Sequence, residues 1–424
     1  MKLTKINECK NNKQLTNNSN IIEYEPKYIY IPLFDNNEKY ETSLNINDYV
    51  KIGQVLAKGV KTNTYIHSSI SGNIISIDKK MYINSGLKVN CIEIKNDYKK
   101  ECIFKNNIDE NNDYDKQQII NKIEAAGIIG MGGAGFPTAL KYKNKSFSTL
   151  IINGCECEPF ITCDYRLMIE QTIKLINGIH YILKAIDGKI AYICIKEEYQ
   201  EVFNILDQYI DDKIKIMKIK NKYPVGYERY LVETITKKKY DKLPSEVDCV
   251  VNNVSTTIAI YEAVKYNMPL LSRVVTVTGY CLDKQVNIRL KIGTNIEEIL
   301  ENVCIIKHKY YNKHLIAGGP MTGKSIPESN LIVTKTLNSV IINPFLKKQN
   351  DILPCIGCGK CSNVCPMKLT PTQILFYYNK KDKDELRKLK ANNCIKCGLC
   401  SYICPSRIEL TLNTSKASDL IRRG

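Results

Sequence analysis

Tryptophan is absent and histidine nearly so: 424 residues contain no Trp and only four His. Chemistry built on histidine bases or histidine-rich metal sites has few residues to draw on. No apolar run approaches the length of a bilayer span, so no segment is expected to cross a membrane. The opening Met1-Lys-Leu-Thr-Lys-Ile-Asn-Glu-Cys9 lacks an apolar core and a small-residue cleavage site, which predicts a cytoplasmic chain. Arginine is scarce too, at eight of 61 basic residues. Against 44 acidic residues the formal charge is +17, carried by lysine. Lysine is a solvated point charge, whereas phosphate and base reading lean on arginine forks. The charge reads first as a solvated basic surface, then as a face for an acidic protein or anionic lipid. No nucleic-acid motif accompanies it, so no nucleic-acid partner is expected. With 44% hydrophobic and 25% charged residues, a disordered or collagen-like chain is excluded, and the length predicts several domains. What the chain has in excess is cysteine, 18 in all, eight of them between Cys355 and Cys404. In a cytoplasmic protein that pattern points to metal or redox chemistry rather than disulfides.

Residues 1–27 are polar and Asn/Lys-rich without periodicity and read as a loose tail. From 28 to 96, short β-type runs (Tyr28-Ile-Tyr-Ile, Gly72-Asn-Ile-Ile-Ser-Ile, Val89-Asn-Cys-Ile-Glu-Ile) alternate with turn residues and predict a small all-β module. The stretch 97–116 reads as a linker. From 115 to 270 helices and strands alternate, including one helix over Arg166–Lys184, and predict an α/β domain. Residues 271–342 return to β character around one helix at Asn295–Val303, and 343–412 form the cysteine-rich end.

That end reads Cys355-x2-Cys358-x2-Cys361-x3-Cys365-Pro, then Cys394-x2-Cys397-x2-Cys400-x3-Cys404-Pro. Run twice, this is the two-cluster [4Fe–4S] ferredoxin signature, in which the fourth Cys of each run serves the other cluster. One set is therefore Cys355, Cys358, Cys361 and Cys404, and the other is Cys394, Cys397, Cys400 and Cys365. Paired zinc knuckles would use two C-x2-C pairs and leave the third and fourth Cys of each run unexplained. Two adjacent clusters make a one-electron wire.

The segment Gly130-Met-Gly-Gly-Ala-Gly-Phe-Pro-Thr-Ala-Leu-Lys141 is a loop entering a helix, with open backbone N–H groups suited to phosphate. No Gly-Lys-Ser/Thr follows, so it is not a Walker loop. It resembles the FMN-binding loop of the NADH-oxidising flavoprotein of respiratory complex I and of the RnfC component of the Rnf ion-translocating ferredoxin:NAD oxidoreductase. Asn153-Gly-Cys-Glu-Cys-Glu-Pro-Phe160, Tyr223-Pro-Val-Gly-Tyr-Glu-Arg229, Val251-Asn-Asn-Val-Ser-Thr256 and Ala317-Gly-Gly-Pro-Met-Thr-Gly323 follow the Rnf version in order. The family's Gly-Gly-x-His-Pro-Pro opening is absent. Cys155 and Met131 stand where complex I relatives carry Asp and Arg.

The resemblance implies a multidomain α/β plus β architecture. Its parts are a barrel-sandwich hybrid (lipoyl-like) module at 28–96, an FMN/NADH-binding α/β domain at 115–270, a β-grasp (SLBB-like) module at 271–342 and a two-cluster ferredoxin domain at 343–412. The first module has Ser68-Ser69 where a carrier lysine would sit, so it reads as structural, with His67 packed rather than ligating. Gly130, Gly132, Gly133 and Lys141 would hold the FMN phosphate. Asn153, Glu156, Asn252, Asn253 and Thr256 would line the flavin. Phe136 and Glu158 would face the nicotinamide. Cys155, Cys157 and Cys163 read as small buried thiols.

A hydride carries two electrons and a cluster accepts one, so a flavin between NAD(H) and two clusters is the economical arrangement. The expected partners are other Rnf-type membrane subunits and a ferredoxin-like protein, with the chain peripheral on the cytoplasmic membrane face. A soluble relative delivering NADH electrons to a cytoplasmic reductase, such as proline reductase, is the alternative. A two-cluster relay with a decayed flavin site is a further one.

Overall fold

The computed structural model describes residues 11–104, 113–307, 313–344 and 352–422. Much of the segment expected as a loose tail is ordered, and residues 1–10 lie outside the described residues. A short 3-10 turn at Lys13–Leu15 leads to strand β1 (Ile21–Glu23), which pairs in parallel with a strand more than 260 residues downstream. Thr16 and Lys13 are buried in this crossing.

The all-β module folds as two four-stranded sheets. It contains β2 (Tyr28–Pro32), β3 (Phe34–Asp35), β4 (Glu38–Glu41), β5 (Tyr49–Val50), β6 (Val55–Gly59), β7 (Tyr65–His67), β8 (Gly72–Tyr82) and β9 (Lys88–Asn96). One sheet runs β2-β9-β8-β5 and the other β3-β4-β6-β7. Ile29, Ile31, Ile74, Ile92 and Ile94 alternate inward along their strands, as a half-buried sheet requires. Residues past 96 do not leave as a linker at once: Ile52 bridges to Cys102 and Ile103 donates to the Ile52 carbonyl at 3.0 Å.

The α/β domain holds α1 (Lys116–Ala125), α2 (Thr138–Tyr142), β10 (Thr149–Asn153), α3 (Cys163–Glu170), α4 (Thr172–Ala185), β11 (Ile190–Lys196), α5 (Gln200–Leu206), β12 (Ile214–Ile219), α6 (Glu228–Thr236), β13 (Cys249–Asn253) and α7 (Val254–Tyr266). The four strands are parallel in the order β12-β11-β10-β13, with β10 central. Ligand crevices in such sheets lie past the carboxyl ends of the strands. Here those ends are Asn153 and Asn253, which pair in register. The single helix expected over Arg166–Lys184 is two, broken at Gln171 (φ −127°, ψ 33°). Thr172 Oγ1 donates to the Met168 carbonyl at 2.7 Å, a local side-chain bond that competes with the helical one.

The next module contains β14 (Ser272–Thr278), β15 (Val286–Lys291), α8 (Ile296–Asn302), β16 (Lys313–Ala317), β17 (Lys324–Ile326) and β18 (Ser339–Pro344). With β1 they form a six-stranded sheet, β1-β15-β14-β18-β16-β17. Its core is continuous with that of the barrel-sandwich module. The cysteine-rich end is helical: α9 (Lys360–Val364), α10 (Pro371–Asn379), α11 (Lys383–Lys388), α12 (Leu399–Tyr402) and α13 (Leu410–Arg422). This domain runs beyond the expected boundary at 412, because α13 packs Ala417 and Leu420 against Ile374 and Leu386. Among the described residues, no helix is long and apolar enough to cross a membrane.

Candidate functional site

The glycine loop follows α1 and enters α2 through Pro137, whose fixed φ suits a helix start. Gly133 takes φ +141°, and a Cβ placed there would meet no atom within 4 Å. The loop thus opens a cradle that a side chain would fill. At Gly132 a Cβ would come within 3.0 Å of Asn253, so the loop lies directly on the end of β13. Met131 N–H donates to Thr256 Oγ1 at 2.9 Å, fixing the loop to α7.

Gly132 and Gly133 form one wall of an open cleft of about 400 Å³, within the scale of cofactor sites (roughly 300–1,000 Å³). Cys157, Glu158, Tyr223 and Gly226 line a second wall, and Gly318, Gly319, Thr322 and Gly323 a third. Ile395 and Cys397 of the ferredoxin domain close the fourth. Tyr223 Oη donates to the Cys397 carbonyl at 2.8 Å, tying that domain to the cleft.

Glu158 accepts from Met321 N–H (3.0 Å) and from Thr322 Oγ1 (2.6 Å). Burial pushes its pKa up. Gly319 has to be small, because a Cβ there would lie 2.3 Å from the Glu158 carboxylate. Asn153 donates to the Gly226 carbonyl at 2.8 Å beside the cleft. Asn252 Nδ2 is bonded to Tyr142 Oη, while its buried Oδ1 has no hydrogen-bond partner. The open cradle at Gly133, which a side chain would fill, fits the phosphate of FMN.

Other expected site residues lie elsewhere. Phe136 is 49% exposed and does not line the cleft. Glu156 turns away from it: its carboxylate accepts from Asp164 N–H (2.8 Å) at the start of α3 and pairs with Lys13 at 3.6 Å. Asn253 caps α7 through Ser255 N–H (2.9 Å) and donates to Asp164 at 2.6 Å. Lys141 sits behind the loop, with Nζ donating to the Val251 carbonyl at 3.2 Å and about 4.0 Å from a Gly130 Cβ. Burial lowers its pKa. Gly130 donates to the Phe136 carbonyl at 2.8 Å and closes the loop. Cys155 packs in the core with Cys194 and Ile151, and Cys163 is buried against Glu156; Cys157 alone of the three reaches the cleft. His67 is buried, and burial lowers its pKa to about 3, in keeping with a packed residue. Sequence reasoning missed Lys13, because no local pattern links it to Glu156.

The eight motif cysteines fall into two hollows. Cys365, Cys394, Cys397 and Cys400 line one; Cys355, Cys358, Cys361 and Cys404 line the other. Each hollow takes three cysteines from one run and the fourth from the other. Burial pushes Cys397 up to about 12 and Cys400 up to about 11, with neighbouring cysteines adding to both rises. A [4Fe–4S] cluster bound in each hollow would hold its cysteines as thiolates. Gly357, Gly359 and Gly398 take positive φ at the turns of the two runs. Cys355 and Cys358 are exposed in their hollow, whereas the hollow of Cys365, Cys394, Cys397 and Cys400 adjoins the cleft through Cys397.

Three family matches divide the chain along these lines. Residues 123–262 match the Nuo51 FMN-binding domain, 354–408 the 4Fe-4S dicluster domain, and 7–99 the RnfC barrel sandwich hybrid domain. The last begins inside the segment expected to be a loose tail. The chain is 32% identical over 361 residues to the RnfC-type component of the ion-translocating oxidoreductase complex of Rhodobacter capsulatus, covering 82% of this chain and 69% of that protein. The corresponding protein of Haemophilus influenzae (strain PittEE) is 34% identical over 347 residues, with 79% and 53% covered. That of Vibrio cholerae (El Tor Inaba N16961) is 33% identical over 390 residues, with 89% and 50% covered. The chain spans about half the length of these last two relatives. Among solved structures, an NAD+-reducing [NiFe]-hydrogenase in the H2-reduced state superposes with a TM-score of 0.51 at 18% identity, over 73% of this chain and 60% of that one. At that identity the likeness is one of fold.

Proposed function

The chain belongs to the RnfC family of ion-translocating oxidoreductase components, and on that premise we propose that it passes electrons between NAD(H) and a second redox protein through FMN and two [4Fe–4S] clusters. The observation that carries this reading is a single cleft walled on one side by the phosphate-type loop (Gly132, Gly133) and on another by Cys397 of a four-cysteine hollow. A flavin bound there would take electrons as a pair from a hydride and release them singly to a neighbouring cluster.

The chain's own residues supply binding and orientation. Gly133 leaves room for phosphate at the cleft wall. Glu158 is held by two donors from the β16–β17 loop at the cleft wall, where a nicotinamide would enter. One cluster would take Cys394, Cys397, Cys400 and Cys365 beside the cleft. The other would take Cys355, Cys358, Cys361 and Cys404 nearer the surface and face the partner. That order supports a wire running from cleft to solvent. The partner we assign is another component of an ion-translocating complex or a ferredoxin-like protein, with the chain peripheral on the cytoplasmic membrane face. Because the phosphate cradle is open and Cys155 is core rather than site, a decayed flavin site is not favoured. Glu158→Gln tests the nicotinamide role: NADH should reduce the flavin at least about tenfold more slowly, with FMN content and dithionite reduction unchanged. Wild-type NADH kinetics in that variant would remove Glu158 from the site.

A further inference from the structure

The cleft wall bearing Cys157 and Glu158 is a short turn between two left-handed residues, Glu156 (φ +39°) and Phe160 (φ +70°). Non-glycine residues hold such backbone only where surrounding contacts over-determine it. Both ends of the turn are held by the N-terminal segment. Phe160 N–H donates to the Asn11 carbonyl at 2.8 Å. Lys13 Nζ donates to the Ile161 carbonyl and pairs with the Glu156 carboxylate at 3.6 Å. Behind it, Thr16 Oγ1 meets Thr162 Oγ1 at 2.7 Å, Asn287 donates to the Thr16 carbonyl at 2.9 Å, and Arg166 donates to the Asn17 carbonyl at 3.1 Å.

We propose that Lys13 is a positioning residue for the cofactor cleft: from this strap its ammonium holds Glu156 and the turn after it, so that Cys157 and Glu158 stay on the cleft wall. The charges require it. Glu156 and Asp164 are two acids in one buried place, and Asp164 is pushed up to about 6 by burial and by Glu156. Lys13 and Arg273, both buried, face this pair, and the buried Lys196 bears on Lys13 and Cys157 beside it. Removing Lys13 leaves the Glu156 carboxylate without its counter-charge, which costs more than the intact pair contributes. The role extends the proposed flavin site but can be read without flavin.

The test is hydrogen exchange of amides 154–162 in the deflavinated full chain, under anaerobic conditions, for wild type, Lys13→Met, Glu156→Gln and the double variant. Each single change should speed exchange in this peptide about tenfold, with β10 and β13 unaffected. The double variant, with neither charge, should exchange more slowly than either single one. FMN affinity, titrated by fluorescence quenching, should follow the same ranking. Wild-type exchange in both single variants, or a double variant as fast as Lys13→Met, would overturn the proposal. Should Lys13→Met not fold, Glu156→Gln decides alone. If wild type does not bind FMN at all, the flavin-site reading fails while the exchange result still judges Lys13.

Discussion

At the scale of single residues, the phosphate cradle rests on Gly133 more than on any charge. Its φ of +141° is costly for any L residue, and the space beyond it is open. Gly133→Val should therefore purify with less than about a tenth of wild-type FMN, because the side chain occupies the ligand's place. Lys141 supports the loop from behind, through the Val251 carbonyl. Lys141→Ala should weaken FMN binding by only about 1 kcal/mol, the worth of an ordinary hydrogen bond. FMN content after desalting and a fluorescence titration check both. Equal losses in the two variants would mean that Lys141 reaches the phosphate itself. The glycine loop was legible in the sequence because its chemistry is contiguous. Lys13 was not, since its partners Glu156 and Ile161 lie more than 140 residues away and nothing in Asn12-Lys13-Gln14 marks it. The same holds for Glu156, whose neighbours in sequence resemble site residues while its carboxylate serves α3.

At the scale of elements, α9 carries Cys361 and α12 Cys400, and each hollow is lined by three cysteines of one run and the fourth of the other. Cys365→Ser should lose about four irons from the centre that Cys394, Cys397 and Cys400 share, and Cys404→Ser about four from the other. Iron analysis with electron paramagnetic resonance of the reduced variants distinguishes the two centres. If Cys365→Ser instead alters the signal that Cys355→Ser alters, the crossed assignment is wrong. The grouping of three cysteines of each run could be read in advance, because spacing of two residues dictates a local loop. The break of the helix at Gln171 could not, since neither Gly nor Pro marks it and only the folded chain shows the Thr172 side-chain bond that accompanies it. Nor could the pairing of β1 with β15, which only the assembled sheet creates.

At the scale of the whole molecule, Lys335 joins three modules. Its Nζ donates to the Tyr65 carbonyl of the barrel-sandwich module and to the Gly127 carbonyl of the α/β domain, each at 2.7 Å. Burial lowers its pKa to about 7, with Asp35 opposing, and the charge also bears on His67. A neutral amine still has two hydrogens for the two carbonyls. The folded chain therefore sheds this proton before the unfolded one does. Between about pH 7 and the ordinary lysine value of 10.5, stability contributed by Lys335 should rise with pH. The unfolding midpoint of wild type should gain on that of Lys335→Met between about pH 7 and about pH 9.5, and a constant gap would contradict the assignment.

The same assembly sets the order of cofactors. The cleft is bounded by the α/β domain, the β14–β18 module and the ferredoxin domain, and Cys397 on its wall also lines a cysteine hollow. If flavin in that cleft is the gate between paired and single electrons, NADH can reach the clusters only through it. The most direct measurement is anaerobic stopped-flow absorbance of the full chain, with its clusters intact, loaded with FMN and stripped of it. NADH should bleach the cluster bands in the loaded protein and leave them oxidised in the stripped one, while dithionite reduces both. Cluster reduction by NADH at the native rate in the stripped protein would contradict the account.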